Sequence, residues 1–97
     1  MKEISTERLD KYFAVTGKAL EEVKKAIDDS RKEQALDFLD MAQRYYDDAG
    51  HFREQGDWVL AFAALNYAHG WLDAGARIRL FKVNDDQLFT VDGQEHN

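Results

Sequence analysis

From Trp58 to Leu72 the chain runs fifteen residues without a charge (WVLAFAALNYAHGWL), fenced by Asp57 and Asp73, although one-third of its residues are charged. A surface helix needs only one apolar stripe, so a run like this predicts a helix apolar over more of its circumference than two neighbouring helices can cover. Such a helix has to meet more than its own bundle. The run is shorter than the roughly 20 residues that cross a bilayer and contains Asn66 and His69. The N-terminus, MKEISTERLDKYF, has no apolar signal region. The expectation is a cytoplasmic protein with no membrane partner.

Two further helices flank this one. Leu9, Phe13, Thr16, Leu20, Val23 and Ile27 alternate spacings of four and three, with Tyr12, Ala19 and Ala26 widening the stripe, which predicts a helix over residues 6–28. Asp28-Asp29-Ser30 interrupts it, and Ser30 with Glu33 reads as a capping box opening a second helix over 31–55. Ala35, Leu39, Ala42, Tyr46 and Ala49 carry its stripe, broadened by Leu36, Phe38, Tyr45 and Phe52. Gly56 suits a left-handed C-terminal position and Asp57 the N-cap of a third helix over 58–80. Breaks this short leave antiparallel packing as the only option. The predicted fold is all-α, an up-down three-helix bundle over residues 1–83, with a short extended C-terminal arm over 84–97. Phe13, Leu20, Leu39, Tyr46, Leu65 and Leu72 are its expected core.

Around helix 3, at about 100° per residue, Trp58, Ala61, Phe62, Leu65, Ala68, His69, Leu72 and Ala76 form one face. Leu60, Ala63, Ala64, Tyr67, Trp71, Ala74 and Ile78 form a second, turned largely away from it, with Gly70 adding to a ridge of small residues. A mid-helix glycine costs about 1 kcal/mol relative to alanine, which is tolerated where another chain segment comes close. Two covers are possible: another chain, or the molecule's own N-terminal segment or C-terminal arm. From the end of helix 3 into that arm, Leu80–Val83 and Leu88–Val91 alternate around the polar turn Asn84–Gln87 and could pair as a hairpin; extended structure docked on the bundle is expected, and disorder from Asp92 to Asn97.

Composition removes whole classes of function. With no cysteine there is no disulfide scaffold, thiol nucleophile or thiolate metal site. Of 19 acids and 13 bases, residues 1–82 hold 15 and 13, while Asp85, Asp86, Asp92 and Glu95 make the tail acidic. A near-neutral body argues against broad nucleic-acid binding.

The segments Tyr45–Phe52 (YYDDAGHF), Gly56–Ala64 (GDWVLAFAA), Asn66–Gly75 (NYAHGWLDAG) and Leu80-Phe81 resemble the archaeal family called domain of unknown function 357. The resemblance covers about half of the chain strongly and helix 1 only as a pattern. It implies a small helical-bundle protein and brings no activity, ligand or catalytic residue with it. Fusion of some relatives to nucleotidyltransferase-like domains would imply an accessory role beside such an enzyme. It also implies a glycine or small residue where this chain has Arg79.

Chemistry finds little to build on. Asp47 with His51, and His69 with Asp73, stand one helical turn apart, but an antiparallel hairpin places the two histidines roughly 12 Å apart along its axis. A zinc ion needs three or four ligands, so neither pair makes a metal site. No catalytic residue, cofactor or metal is expected: Ser5 and Ser30 read as caps, and the glycines are scattered singly rather than gathered in a phosphate loop. The bundle does gather Lys24, Lys25, Arg31, Lys32, Arg77, Arg79 and Lys82 at one pole, a candidate anion site. Helix dipoles account for the bases that end helices 1 and 3, but not for Arg31 and Lys32, which open helix 2.

The sequence therefore predicts a non-enzymatic interaction module. Leu60, Ala63, Tyr67, Gly70, Trp71, Ala74 and Ile78 are its candidate interface, and its partner is a second copy, as a homodimer, or another helical protein. The alternative is a binder of a phosphate-bearing small molecule or RNA end at the basic pole.

Overall fold

The computed structural model describes residues 5–83 and 88–89. Helix α1 spans Thr6–Lys24, a 3-10 turn Asp29–Arg31, α2 Lys32–Glu54 and α3 Trp58–Arg77. The fold is all-α, three helices packed on one another as the up-down bundle requires. Ser5 caps α1 by accepting from the Arg8 N–H at 3.1 Å. Gly56, at φ 80°, ends α2 in the left-handed region, with Gly56 N–H bonded to Arg53 O and Asp57 N–H to Phe52 O. Asp57 then caps α3 by accepting from Leu60 N–H at 3.2 Å. The α2–α3 hairpin is thus held by the two residues its sequence suggested.

That hairpin is the tightest part of the bundle. On α2, Ala35, Ala42 and Ala49 repeat every seven residues and are fully buried, and on α3 Ala61, Ala68, Gly75 and Ala76 are buried beside Leu65 and Leu72. Small side chains at the contact let the two backbones approach closely. Helix α1 adds Leu9, Ala19, Leu20 and Val23. The core divides in two. One cluster, around Leu9, Ala49, Ala61 and Leu65, lies toward the α2–α3 turn; the other, around Leu20, Ala42, Leu72 and Phe81, lies toward the opposite end, and Tyr46 packs against both. Of the six expected core residues, Leu20, Leu65 and Leu72 are buried, while Phe13, Leu39 and Tyr46 are half-buried at its margin.

Three boundaries differ from expectation, each because tertiary contacts overrule local pattern. Helix α1 stops at Lys24, not Asp28, although Ala26 and Ile27 continue its stripe. The chain there turns extended and pairs with the exit of α3: Ile27 bridges Phe81 antiparallel, Asp28 N–H donates to Leu80 O at 2.9 Å and Lys82 N–H to Ala26 O at 2.7 Å. Ser30 caps nothing; Asp28 is the cap, its Oδ1 accepting from Ser30 N–H at 3.0 Å and Ser30 Oγ–H at 2.8 Å, and Arg31 precedes α2 without a side-chain cap. Those two bonds, helped by Lys82 and Arg31 nearby, hold the Asp28 carboxyl below its ordinary range. Helix α3 ends at Arg77 because Arg79 takes φ 65°, and the Leu80 N–H to Gly75 O and Arg79 N–H to Ala76 O bonds close a Schellman turn.

The described part of the arm packs on the bundle. Phe81 pairs with Ile27, and its ring lies where a side chain on Gly75 would otherwise stand, at 2.2 Å from that Cβ position. Leu88 and Phe89 are buried, and Leu88 O accepts from His69 Nε2 at 2.6 Å. The turn Asn84–Gln87 and residues 90–97 lie outside the described residues.

Candidate interaction face

Leu60, Ala63, Tyr67, Gly70 and Ala74 recur on α3 at spacings of three and four, with Ile78 one turn further on, the pattern of a helix seam. Tyr67 keeps 60%, Ile78 50% and Leu60 45% of their surface, values unusual for large apolar side chains within one compact fold, and Ala63, Gly70 and Ala74 are exposed between them. Val59, at 66%, extends the patch beyond the residues named from sequence.

Trp71, the seventh expected interface residue, is half-buried rather than exposed, and Ala64 is buried. Helix α2 is responsible. Phe38, Tyr45 and Phe52 repeat every seven residues and line up along its α3 side. Phe38 meets Trp71 edge to face at 5.1 Å between ring centroids, and Tyr45 meets Tyr67 likewise at 4.6 Å. Phe52 and Tyr45 join Leu60, Ala63, Ala64, Tyr67 and Asp48 around a groove of about 410 Å³, and a second hollow of about 290 Å³ lies over Tyr67, Gly70, Trp71 and Ala74. The face is therefore built by two helices. The seven-residue aromatic repeat on α2 is its signal in the sequence, where it reads only as a broadened core stripe.

The described part of the arm docks elsewhere. It reaches Gly75 and His69, on the side of α3 that faces α1. The glycines sort accordingly. A side chain on Gly75 would run into the buried Phe81 ring, and one on Gly17 would meet the hydroxyl end of Tyr46 at 2.8 Å, so both face neighbours inside the fold, whereas a side chain on Gly70 would meet none of the described residues within 4 Å. Gly50 is open in the same way.

His69 stands between α1 and the arm. Its Nε2 lies 2.6 Å from Leu88 O, which can only accept, so Nε2 carries the proton; its Nδ1 lies 3.3 Å from Thr16 Oγ1, and Asp73 Oδ1 is 3.8 Å away. Both nitrogens are occupied by the fold itself. His51 is exposed, and its expected partner Asp47 accepts from Gln43 Nε2 at 3.0 Å. Among the described residues no three histidine or acidic side chains gather as metal ligands would, and no helix is long and apolar enough to cross a membrane.

At the basic pole Arg77, Arg79 and Lys82 line one hollow of about 280 Å³ with Asp28, Ala76, Phe81 and Val83. Arg31 is used differently, since its guanidinium donates to Ile78 O at the end of α3 and lies 3.9 Å from Asp28. A base opening α2 thus serves the C-terminus of another helix, which explains why it stands there. Lys24 pairs with Glu21 at 3.3 Å, and Lys25 and Lys32 are exposed.

No curated protein and no solved structure is significantly similar to the chain. A family model described as "Protein of unknown function (DUF357)" matches residues 11–81, from the first turns of α1 to the Phe81 that closes on Ile27. That span takes in most of α1, all of α2 and α3 and most of the chain, and the protein is a member of the DUF357 family.

Proposed function

We propose that this protein is a non-enzymatic interaction module that forms a homodimer through the open face of α3 and the aromatic ladder of α2. The observation that carries the reading is Gly70: a helix-weakening residue in mid-helix, with open space above it and apolar side chains around it. No described neighbour needs the space, and a close-packed second helix would. A second copy fits better than an unrelated one. If two α3 helices cross antiparallel about the Gly70–Trp71 step, Tyr67 of one faces Ala74 of the other and Ile78 faces Ala63, so large residues meet small ones on both sides of the twofold axis. The near-neutral charge of residues 1–82 puts little repulsion in the way.

The experiment is sedimentation of the purified chain beside Leu60→Glu. Leu60 is the third residue of α3, where an acid complements both the helix dipole and the Asp57 cap, so this variant keeps the monomer fold while placing a charge in the interface. Wild type is expected at twice the chain mass and Leu60→Glu at the single mass, with unchanged circular dichroism. A monomeric wild type overturns the proposal. Trp71→Glu is the poorer probe, since Trp71 also packs on Phe38.

A further inference from the structure

Ile78 is exposed and yet held in place. It follows the last turn of α3, its N–H bonded to Ala74 O at 3.1 Å and its carbonyl accepting from the Arg31 guanidinium, while half of its surface stays open. A large apolar side chain on so fixed a backbone loses little freedom when something packs on it, which is the property of an interface anchor. Eleven residues earlier stands Tyr67, 60% exposed. Eleven residues make three helical turns to within about 20°, so the two share one stripe and lie roughly 16 Å apart. Ala63 and Ala74 are also eleven residues apart, and each marks a hollow. Ala63 lies in the groove of about 410 Å³ that Tyr45 and Phe52 wall from α2, and Ala74 in the hollow of about 290 Å³ over Gly70 and Trp71. Two knobs and two hollows thus share one spacing on one face.

We infer, building on the homodimer proposed above, that Ile78 of each copy is the anchor of that dimer and seats in the other copy's groove against Tyr45 and Phe52, while Tyr67 seats over the other copy's Ala74. The two α3 helices then run antiparallel, and α2 of each copy enters the contact. A parallel pair fails on size: every residue would face itself, Tyr67 on Tyr67 and Ile78 on Ile78, holding the helices apart while the alanines and both hollows stay unfilled. Antiparallel helices also set opposite ends of their dipoles side by side. The groove suits an aliphatic side chain, since the charged residue of its described lining, Asp48, is exposed and keeps its water at the rim. With the walls of the hollows included, the face offers on the order of 600 Å² per copy, so two copies reach the about 1,200 Å² from which specific interfaces are built.

The chain has no cysteine, so introduced ones report the register without interference. The test is mild oxidation of the full chain carrying Ala63→Cys with Ile78→Cys, or Tyr67→Cys with Ala74→Cys, each beside its two single variants, read on non-reducing gels. Each pair leaves the other knob in place, and a disulfide needs Cα atoms within about 7 Å. Both doubles are expected to be trapped as covalent dimers. The four singles are expected to stay uncrosslinked, because each residue and its own copy stand at least roughly 10 Å apart along the axis. Singles that cross-link as readily as the doubles would make the helices parallel, and doubles that stay uncrosslinked would place the contact elsewhere. Either result overturns the register, while a dimeric wild type in sedimentation leaves the homodimer standing; a monomeric wild type removes both. Ile78→Ala is expected to weaken association at least about tenfold with unchanged circular dichroism, and Ile78→Leu to keep most of it. Undiminished association in Ile78→Ala overturns the anchor.

Discussion

The two sides of α3 are made of nearly the same residues and meet opposite fates. Ala61, Leu65, Ala68, Leu72 and Ala76 are at most 5% exposed, whereas Leu60, Tyr67 and Ile78 keep about half of their surface or more. Hydrophobicity does not distinguish them; geometry does. Helices α1 and α2 fill the angle on one side, the arm inserts Phe81, Leu88 and Phe89 there too, and the α2 aromatics reach only the margin of the other. An apolar helix in a three-helix bundle therefore advertises its leftover side, and that leftover is where the proposed interface lies.

Substitutions test the difference between the two sides. The largest effect belongs to the covered side: Leu65→Ala or Leu72→Ala should destabilise by about 2–5 kcal/mol, against less than about 1 kcal/mol for Leu60→Ala in dilute solution. Urea denaturation decides it, and equal losses would mean that both sides are core. Next come the glycines. Gly75→Ala drives a methyl into the buried Phe81 ring and should cost about 1–3 kcal/mol despite alanine's better helix propensity. The smallest change is Gly70→Ala, expected to stabilise the monomer by up to about 1 kcal/mol in thermal melts; a loss instead would show that the space above Gly70 is filled within the chain.

Much of this is legible in the sequence, for physical reasons that also mark the limit. The three helices follow from local chemistry except at the ends of α1 and α3, and the Ser5 and Asp57 caps and the Gly56 turn form as read. The covered face of α3 follows from periodicity. What does not show is every feature settled at a distance: Ala26 and Ile27 leave their helix for Lys82 and Phe81, Asp28 displaces Ser30 as cap, and Arg31 serves the end of α3. Angle alone puts Trp71 on the open face, and Phe38 on another helix covers part of it. Periodicity reports which way a side chain points, not which neighbour is tall enough to reach it.

The pairing of Ile27 with Phe81 has a consequence for the order in which the molecule assembles. These residues lie roughly 50 positions apart, so joining them closes a long loop, while α2 and α3 are linked by a three-residue turn and can zip locally. The α2–α3 hairpin should nucleate, and α1 should be fastened late, when the clasp between its exit and that of α3 shuts. Phe81→Leu should then leave the refolding rate nearly unchanged in stopped-flow measurements and speed unfolding, whereas Ala42→Gly, at the hairpin contact, should slow refolding. The clasp would act as the latch that sets the lifetime of the native state, while the hairpin sets how quickly that state is found.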